Sequence, residues 1–102
     1  MNENLELAKK ISQVFSNNYK MIASAETCTG GLISAYITAF AGSSCYSDRA
    51  FITYSNEAKC QKLGVKAQTF YKYGAVSLET AKEMAEGAIA NSNAVSNWYC
   101  KI

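Results

Sequence analysis

A chain of 102 residues with 49% hydrophobic and 18% charged content reads as one soluble domain that buries about two thirds of its unfolded surface. Its net charge of +2 is carried by scattered cations, which excludes the basic stripe of a nucleic-acid binder, and its apolar runs are too short to cross a bilayer. Four cysteines without a CxxC pair and the absence of histidine leave no expected metal centre or cofactor; with no signal peptide at the N-terminus, free thiols in the cytoplasm are the expectation.

The first element is a helix. Leu7, Ile11, Val14 and Phe15 recur at helical spacing, Glu3 and Glu6 lie in the first turn, where the helix dipole favours them, and Asn17-Asn18 ends it. Lys20 to Ala25 is a short apolar run of strand length that leads into Glu26-Thr27-Cys28-Thr29-Gly30-Gly31. Leu32 to Phe40 is apolar on most sides, which predicts a helix buried against a sheet and stopped by Gly42. A β-prone run at 51–54 follows, then a helix from Asn56 to Leu63 closed by Gly64 and a short helix or turn over Lys66–Tyr73. Ser77 is a helix cap, and Ala81, Met84, Ala85, Ala88 and Ile89 form an amphipathic stripe behind it, with Lys82 and Glu86 paired outside. Val95 to Ile102 alternates as a last strand would. Alternating helices and strands point to α/β layers, with helices covering a small sheet.

Three places along this order carry chemistry. A strand that ends in a Thr-Gly-Gly turn and opens a helix suits an anion, because backbone N–H groups point outward there and glycine permits close approach. Thr29, Gly30 and Gly31 fit that role; the plain alternative is a tight strand-to-helix turn. Glu26 reads as a capping carboxylate, and Cys28, with no base partner in view, as a packed small residue. Ser44 and Lys59 are 15 positions apart, a spacing that lets a strand and a helix return the lysine toward the serine. Lysine removed from water loses proton affinity in general, and a neutral amine can take the proton from a serine hydroxyl. Without histidine, hydrolytic chemistry needs a lysine, a carboxylate or a metal hydroxide as base. Tyr54 and Asn56 are candidates to hold a ligand or Lys59, and a solvated helix lysine beside a turn serine is the plain alternative.

Read together, AETCTGGLIS, AGSSCYSDRAFITYSNEAKCQKLGV and YGAVSLETAKEMAEGA resemble the CinA C-terminal domain family over about residues 24–90 of a single domain spanning 1–102, with a divergent tail at 91–102. The resemblance implies a three-layer α/β/α fold and the stand-alone members' activity, deamidation of nicotinamide mononucleotide (NMN) to nicotinic acid mononucleotide and ammonia in pyridine-nucleotide recycling. It implies a Ser/Lys dyad in which Ser44 is the nucleophile and Lys59 the base, with Tyr54 beside them. Thr27, Thr29, Gly30, Gly31 and Asn56 would contact the nucleotide, and the assembly would be a homo-oligomer with no nucleic-acid or membrane partner.

The sequence departs from the family pattern in two ways. The family's ESC serine is Thr27 here, which keeps a hydroxyl and adds a β-methyl that restricts χ1; the nucleophile stays open among Ser44, Thr27 and Thr29. Family members also continue beyond the GAVS helix into further strands, a glycine loop and a helix bearing an arginine. Here the pattern ends near Ala90, and Arg49 is the one arginine. Exposed sheet edges and apolar helix faces are therefore expected, and a non-catalytic remnant that binds a nucleotide without turnover is the rival to the enzyme.

Overall fold

The computed structural model describes residues 2–94, and the strand expected over Val95–Ile102 lies outside them. Helix α1 (Glu3–Asn17) starts where the Asn2 side chain accepts the Leu5 N–H and ends at Asn18. Strand β1 (Ile22–Glu26) lies parallel to β2 (Ser47–Ile52), with Ile22 opposite Ser47 and Glu26 opposite Ile52. These two strands are the whole sheet among the described residues. Helix α2 (Leu32–Ile37) and a 3-10 turn (Ser43–Cys45) separate them. Helices α3 (Asn56–Leu63), α4 (Ala67–Tyr73) and α5 (Leu78–Ala90) follow β2.

Side-chain alternation along the strands divides the molecule into layers. Ala23, Ala25 and Phe51 pack on a core of Leu63, Val65, Met84 and Ala88 from the α3–α5 layer. On the other face α1 packs against α2, and α2 against β1. The fold is thus the expected α/β arrangement of helices around a small parallel sheet.

The α3–α5 layer is tied by short-range chemistry. Ser77 caps α5 by accepting the Thr80 N–H, and the Thr80 hydroxyl donates to the Gly74 carbonyl at 2.8 Å. Helix α4 lacks a side-chain cap of its own. Glu83 of α5 replaces it, accepting the Lys66 N–H at 2.9 Å and the Thr69 hydroxyl. Gly87 lets α3 and α5 meet: a Cβ there would lie 1.9 Å from the Leu63 carbonyl oxygen.

Several expected boundaries move. The second strand begins at Ser47 and ends at Ile52 instead of spanning 51–54, because Thr53 makes the last bond to β1 and the chain then turns into the Ser55 cap of α3. The first strand runs from Ile22 through Glu26. Helix α2 stops at Ile37, well before Phe40, where the Thr38 hydroxyl bonds back to the Ser34 carbonyl. Gly42, expected to stop α2, instead precedes the 3-10 turn in the left-handed conformation, φ 81°. None of α2 is buried, and Leu32 is 50% exposed. A two-stranded sheet offers that helix a narrow surface, so its apolar faces stay open.

Candidate active site

In parallel sheets, ligands gather outside the carboxyl ends of the strands. Here that end collects Glu26 and the Thr27–Gly31 loop from β1, and Thr53, Tyr54, Ser55, Asn56 and Lys59 from β2 and the start of α3. The loop glycines are fixed by geometry. Gly30 and Gly31 have φ of 64° and 112°, and a Cβ on Gly31 would meet Ile52 Cδ1 at 3.0 Å. Both positions favour glycine, and Gly31 does so twice over.

Glu26 reaches across the Thr-Gly-Gly turn to the start of α2. Glu26 as a whole is 3% exposed. It accepts the Thr29 hydroxyl at 2.7 Å, the Ile33 N–H at 2.8 Å and the Ser34 N–H at 3.0 Å. Burial raises its proton affinity, but the bonds from Thr29, Ile33 and Ser34 outweigh it and hold the carboxyl below its ordinary value. The capping role read from sequence is therefore present. Glu26 thus takes the Thr29 hydroxyl and the Ile33 and Ser34 N–H groups within the chain.

Lys59 is buried to 4% exposure in the first turn of α3, and its ammonium lies 6.0 Å from the centroid of the Phe70 ring. Among the described residues the ion pair joins Arg49 to Asp48, and no carboxylate lies within 4.0 Å of the Lys59 ammonium. Tyr54 projects into solvent at 81% exposure, and Asn56 is also exposed. Thr53 was not singled out from the sequence, where it is one member of a β-prone run. Its hydroxyl is buried without a hydrogen-bond partner among the described residues, while its N–H donates to the Glu26 carbonyl at 3.0 Å.

Ser44 lies elsewhere. It is exposed in the 3-10 turn that precedes β2, at the amino end of the strands, whereas Lys59 follows their carboxyl end. Six residues of β2 span about 16 Å. Lys59 is the fourth residue of α3 and returns only about 5 Å along the helix, with its side chain directed back toward the helix start. The return expected from the 15-residue spacing is therefore incomplete in a single chain: Ser44 and Lys59 stay on the order of 10 Å or more apart. Sequence distance gave no sign of this, because it does not say at which end of the strand each residue falls.

Beside β1 runs an open, mainly apolar cavity of 770 Å³, lined by Ile11 and Val14 of α1, Ile33 of α2 and Ala85 and Ile89 of α5, and reaching Thr27 at the carboxyl end. Among the described residues no cluster of His, Cys, Asp or Glu is suited to a metal ion. No described helix is long and apolar enough to cross a membrane.

Comparison with known proteins places these features in context. The model of the CinA C-terminal domain family matches residues 4–97. A CinA-like protein of Shewanella piezotolerans is 45% identical over 92 residues, covering 90% of this chain and 22% of that protein. The nicotinamide-nucleotide amidohydrolase PncC of Escherichia coli K12 is 41% identical over 92 residues, covering 90% of this chain and 56% of that protein. The crystal structure of a competence/damage inducible protein from Agrobacterium tumefaciens superposes with a TM-score of 0.89 at 46% identity, over 92% of this chain and 57% of that one. The chain thus spans a little over half the length of the shorter relatives and about a fifth of the longer one.

Proposed function

The chain belongs to the CinA C-terminal domain family, and from that premise we propose that it hydrolyses the carboxamide of NMN to nicotinic acid mononucleotide and ammonia. The likeness to the nicotinamide-nucleotide amidohydrolase of Escherichia coli supports the substrate class. The observation that carries the chemistry is Lys59, a lysine buried at the carboxyl end of the sheet with no ion-pair partner among the described residues. A buried amine at that end of the sheet is one of the few groups of this histidine-free chain placed to serve as a base for a hydroxyl nucleophile.

In the proposed mechanism Lys59 takes the proton of the attacking hydroxyl, Ser44 by the family resemblance or Thr27, which shares the carboxyl end of the sheet with Lys59, as that oxygen attacks the carboxamide carbon. The C–N bond of the resulting tetrahedral adduct breaks as the Lys59 ammonium returns its proton to the departing nitrogen, and ammonia leaves. A water molecule, deprotonated by Lys59, then attacks the ester on that oxygen; nicotinic acid mononucleotide departs and the hydroxyl regains its proton. Hydrogen-bond donors aimed at the developing oxyanion would be worth roughly 3 kcal/mol of barrier each. Thr27, Gly30, Gly31, Tyr54 and Asn56 surround the carboxyl end of the strands and form the wall offered to the nucleotide, and Thr29 shapes that wall through its bond to Glu26. Cytoplasmic pyridine-nucleotide recycling is the setting this reaction implies.

A second reading, nucleotide binding without turnover, is favoured by the separation of Ser44 and Lys59 along β2. Ammonia release from NMN, measured with Ser44→Ala and Lys59→Ala beside the unsubstituted protein, separates the two. Release that disappears in both variants supports the enzyme. Folded protein that binds NMN and releases no ammonia supports binding alone.

A further inference from the structure

We propose that Thr53 is a positioning residue for Lys59: its buried hydroxyl is the acceptor held ready for the ammonium that forms when Lys59 takes the proton of the attacking hydroxyl. This inference rests on the proposed amidase reading and adds a member to its site. Thr53 is 3% exposed, and its hydroxyl oxygen has no hydrogen-bond partner among the described residues. Leaving a buried hydroxyl unpaired costs stability, so each such group in a folded chain calls for a role or an occupant.

Strand and helix spacings bring Thr53 and Lys59 to one place. Ile52 lies toward α2, since a Cβ on Gly31 would meet its Cδ1 at 3.0 Å. Alternation turns Phe51 and Thr53 to the other face, and Phe51 does pack on the core that contains Leu63. Lys59 lies one helical turn before Leu63 on α3, and both are buried. The chain leaves β2 past Thr53 and Leu63 comes back to the core under Phe51, so α3 returns against β2. Two strand residues span about 6.6 Å and four helix residues about 6 Å. The step from Phe51 to Thr53 thus matches the step from Leu63 back to Lys59, which sets Thr53 opposite Lys59.

Burial makes an acceptor necessary. Lys59 is 4% exposed and has no ion-pair partner among the described residues. The Phe70 ring favours its charge, but the ring centroid is 6.0 Å away, at the outer limit of such contacts. A proton passed to the amine creates a charge that burial penalises. A hydroxyl oxygen already fixed at a strand end accepts an ammonium N–H without reorganising. The bond is made as the charge appears, so it lowers the barrier to proton transfer and is absent from the resting chain. Its role is the same whichever hydroxyl attacks.

The test measures ammonia release over a range of NMN concentrations for wild type, Thr53→Val and Thr53→Ser, with urea unfolding of each. Thr53→Val keeps the shape and removes the oxygen. Its kcat is expected to fall roughly 10- to 100-fold, with KM within about twofold of wild type and no loss of stability. Thr53→Ser restores the oxygen and is expected to bring kcat to within about threefold of wild type. A side chain needed for packing alone gives the opposite order, because valine fills the space better than serine. Wild-type kcat in Thr53→Val overturns the inference, and so does a Thr53→Ser chain as slow as Thr53→Val. A hydroxyl that holds only a structural water shows itself in Thr53→Val as lost stability with kcat unchanged, which overturns it as well. Thr53→Ala, which lacks both γ atoms, is expected to be as slow as Thr53→Val; wild-type kcat there has the same force against the inference. Should the wild type leave NMN untouched, the amidase reading fails and this inference falls with it. An active wild type beside an equally active Thr53→Val removes the role of Thr53 and leaves that reading standing.

Discussion

Replacing Gly87 with alanine sets two effects against each other, and the structure says which wins. Alanine in a helix interior is favoured over glycine by about 1 kcal/mol. The added Cβ would lie 1.9 Å from the Leu63 carbonyl oxygen, 2.7 Å from its carbon and 2.8 Å from its Cα. The obstacle is backbone, so no rotamer change relieves it, and α3 must move away from α5 by about 1.5 Å to restore ordinary contact. That movement opens the seam holding Leu63, Val65, Met84 and Ala88. Overpacking of this kind costs about 3 kcal/mol, which leaves a net loss near 2 kcal/mol after the helix gain. For a domain of this size the midpoint of thermal unfolding should fall by roughly 10 °C. Circular dichroism melting of Gly87→Ala beside wild type checks this. An unchanged or raised midpoint would refute the claim that Gly87 is required for the approach of α3, the helix that carries Lys59.

Other substitutions probe the carboxyl end of the sheet. Glu26→Gln keeps the shape but loses the charge that accepts Thr29, Ile33 and Ser34, so it should cost about 2 kcal/mol in urea unfolding. Because the folded Glu26 carboxyl lies below its ordinary value of 4.5, its contribution is fully present above that pH and is lost as pH falls through the folded value. Wild type should therefore lose stability below about pH 4.5 more steeply than Glu26→Gln, as acid titration of the unfolding free energy would show. Glu83, held low by its bonds to Lys66 and Thr69 despite burial, contributes in the same direction in both proteins. Thr53→Val removes a buried hydroxyl that has no partner; it should leave stability unchanged or raise it by about 1 kcal/mol, and a loss on that scale would reveal a bond to the hydroxyl.

Helix termini were the most legible part of the sequence, because their signals are local. Ser77 and Ser55 accept the N–H three residues on, as cap residues should, and Gly64 takes the left-handed conformation that ends α3. The stripe of α5 marked Met84 and Ala88 as core correctly. Burial of α2 was misread, since an apolar segment does not reveal how wide a sheet it faces. Gly87 was visible only as part of a family pattern; its packing role depends on Leu63, which lies far away in the chain. At the candidate site, Glu26 was read as a cap, but its further bond from the Thr29 hydroxyl emerges only in three dimensions. The largest gap between sequence and structure concerns Ser44 and Lys59. Fifteen residues suffice for a strand and a return, yet β2 uses the length to carry the chain away, and α3 has barely turned back when Lys59 is reached.

The most direct test of the account is to incubate the purified protein with NMN and quantify both ammonia and nicotinic acid mononucleotide, with Lys59→Ala as control. The account predicts equal amounts of the two products from wild type and none from the variant. Folded wild-type protein that leaves NMN intact, or a Lys59→Ala variant that forms both products at the wild-type rate, would contradict it.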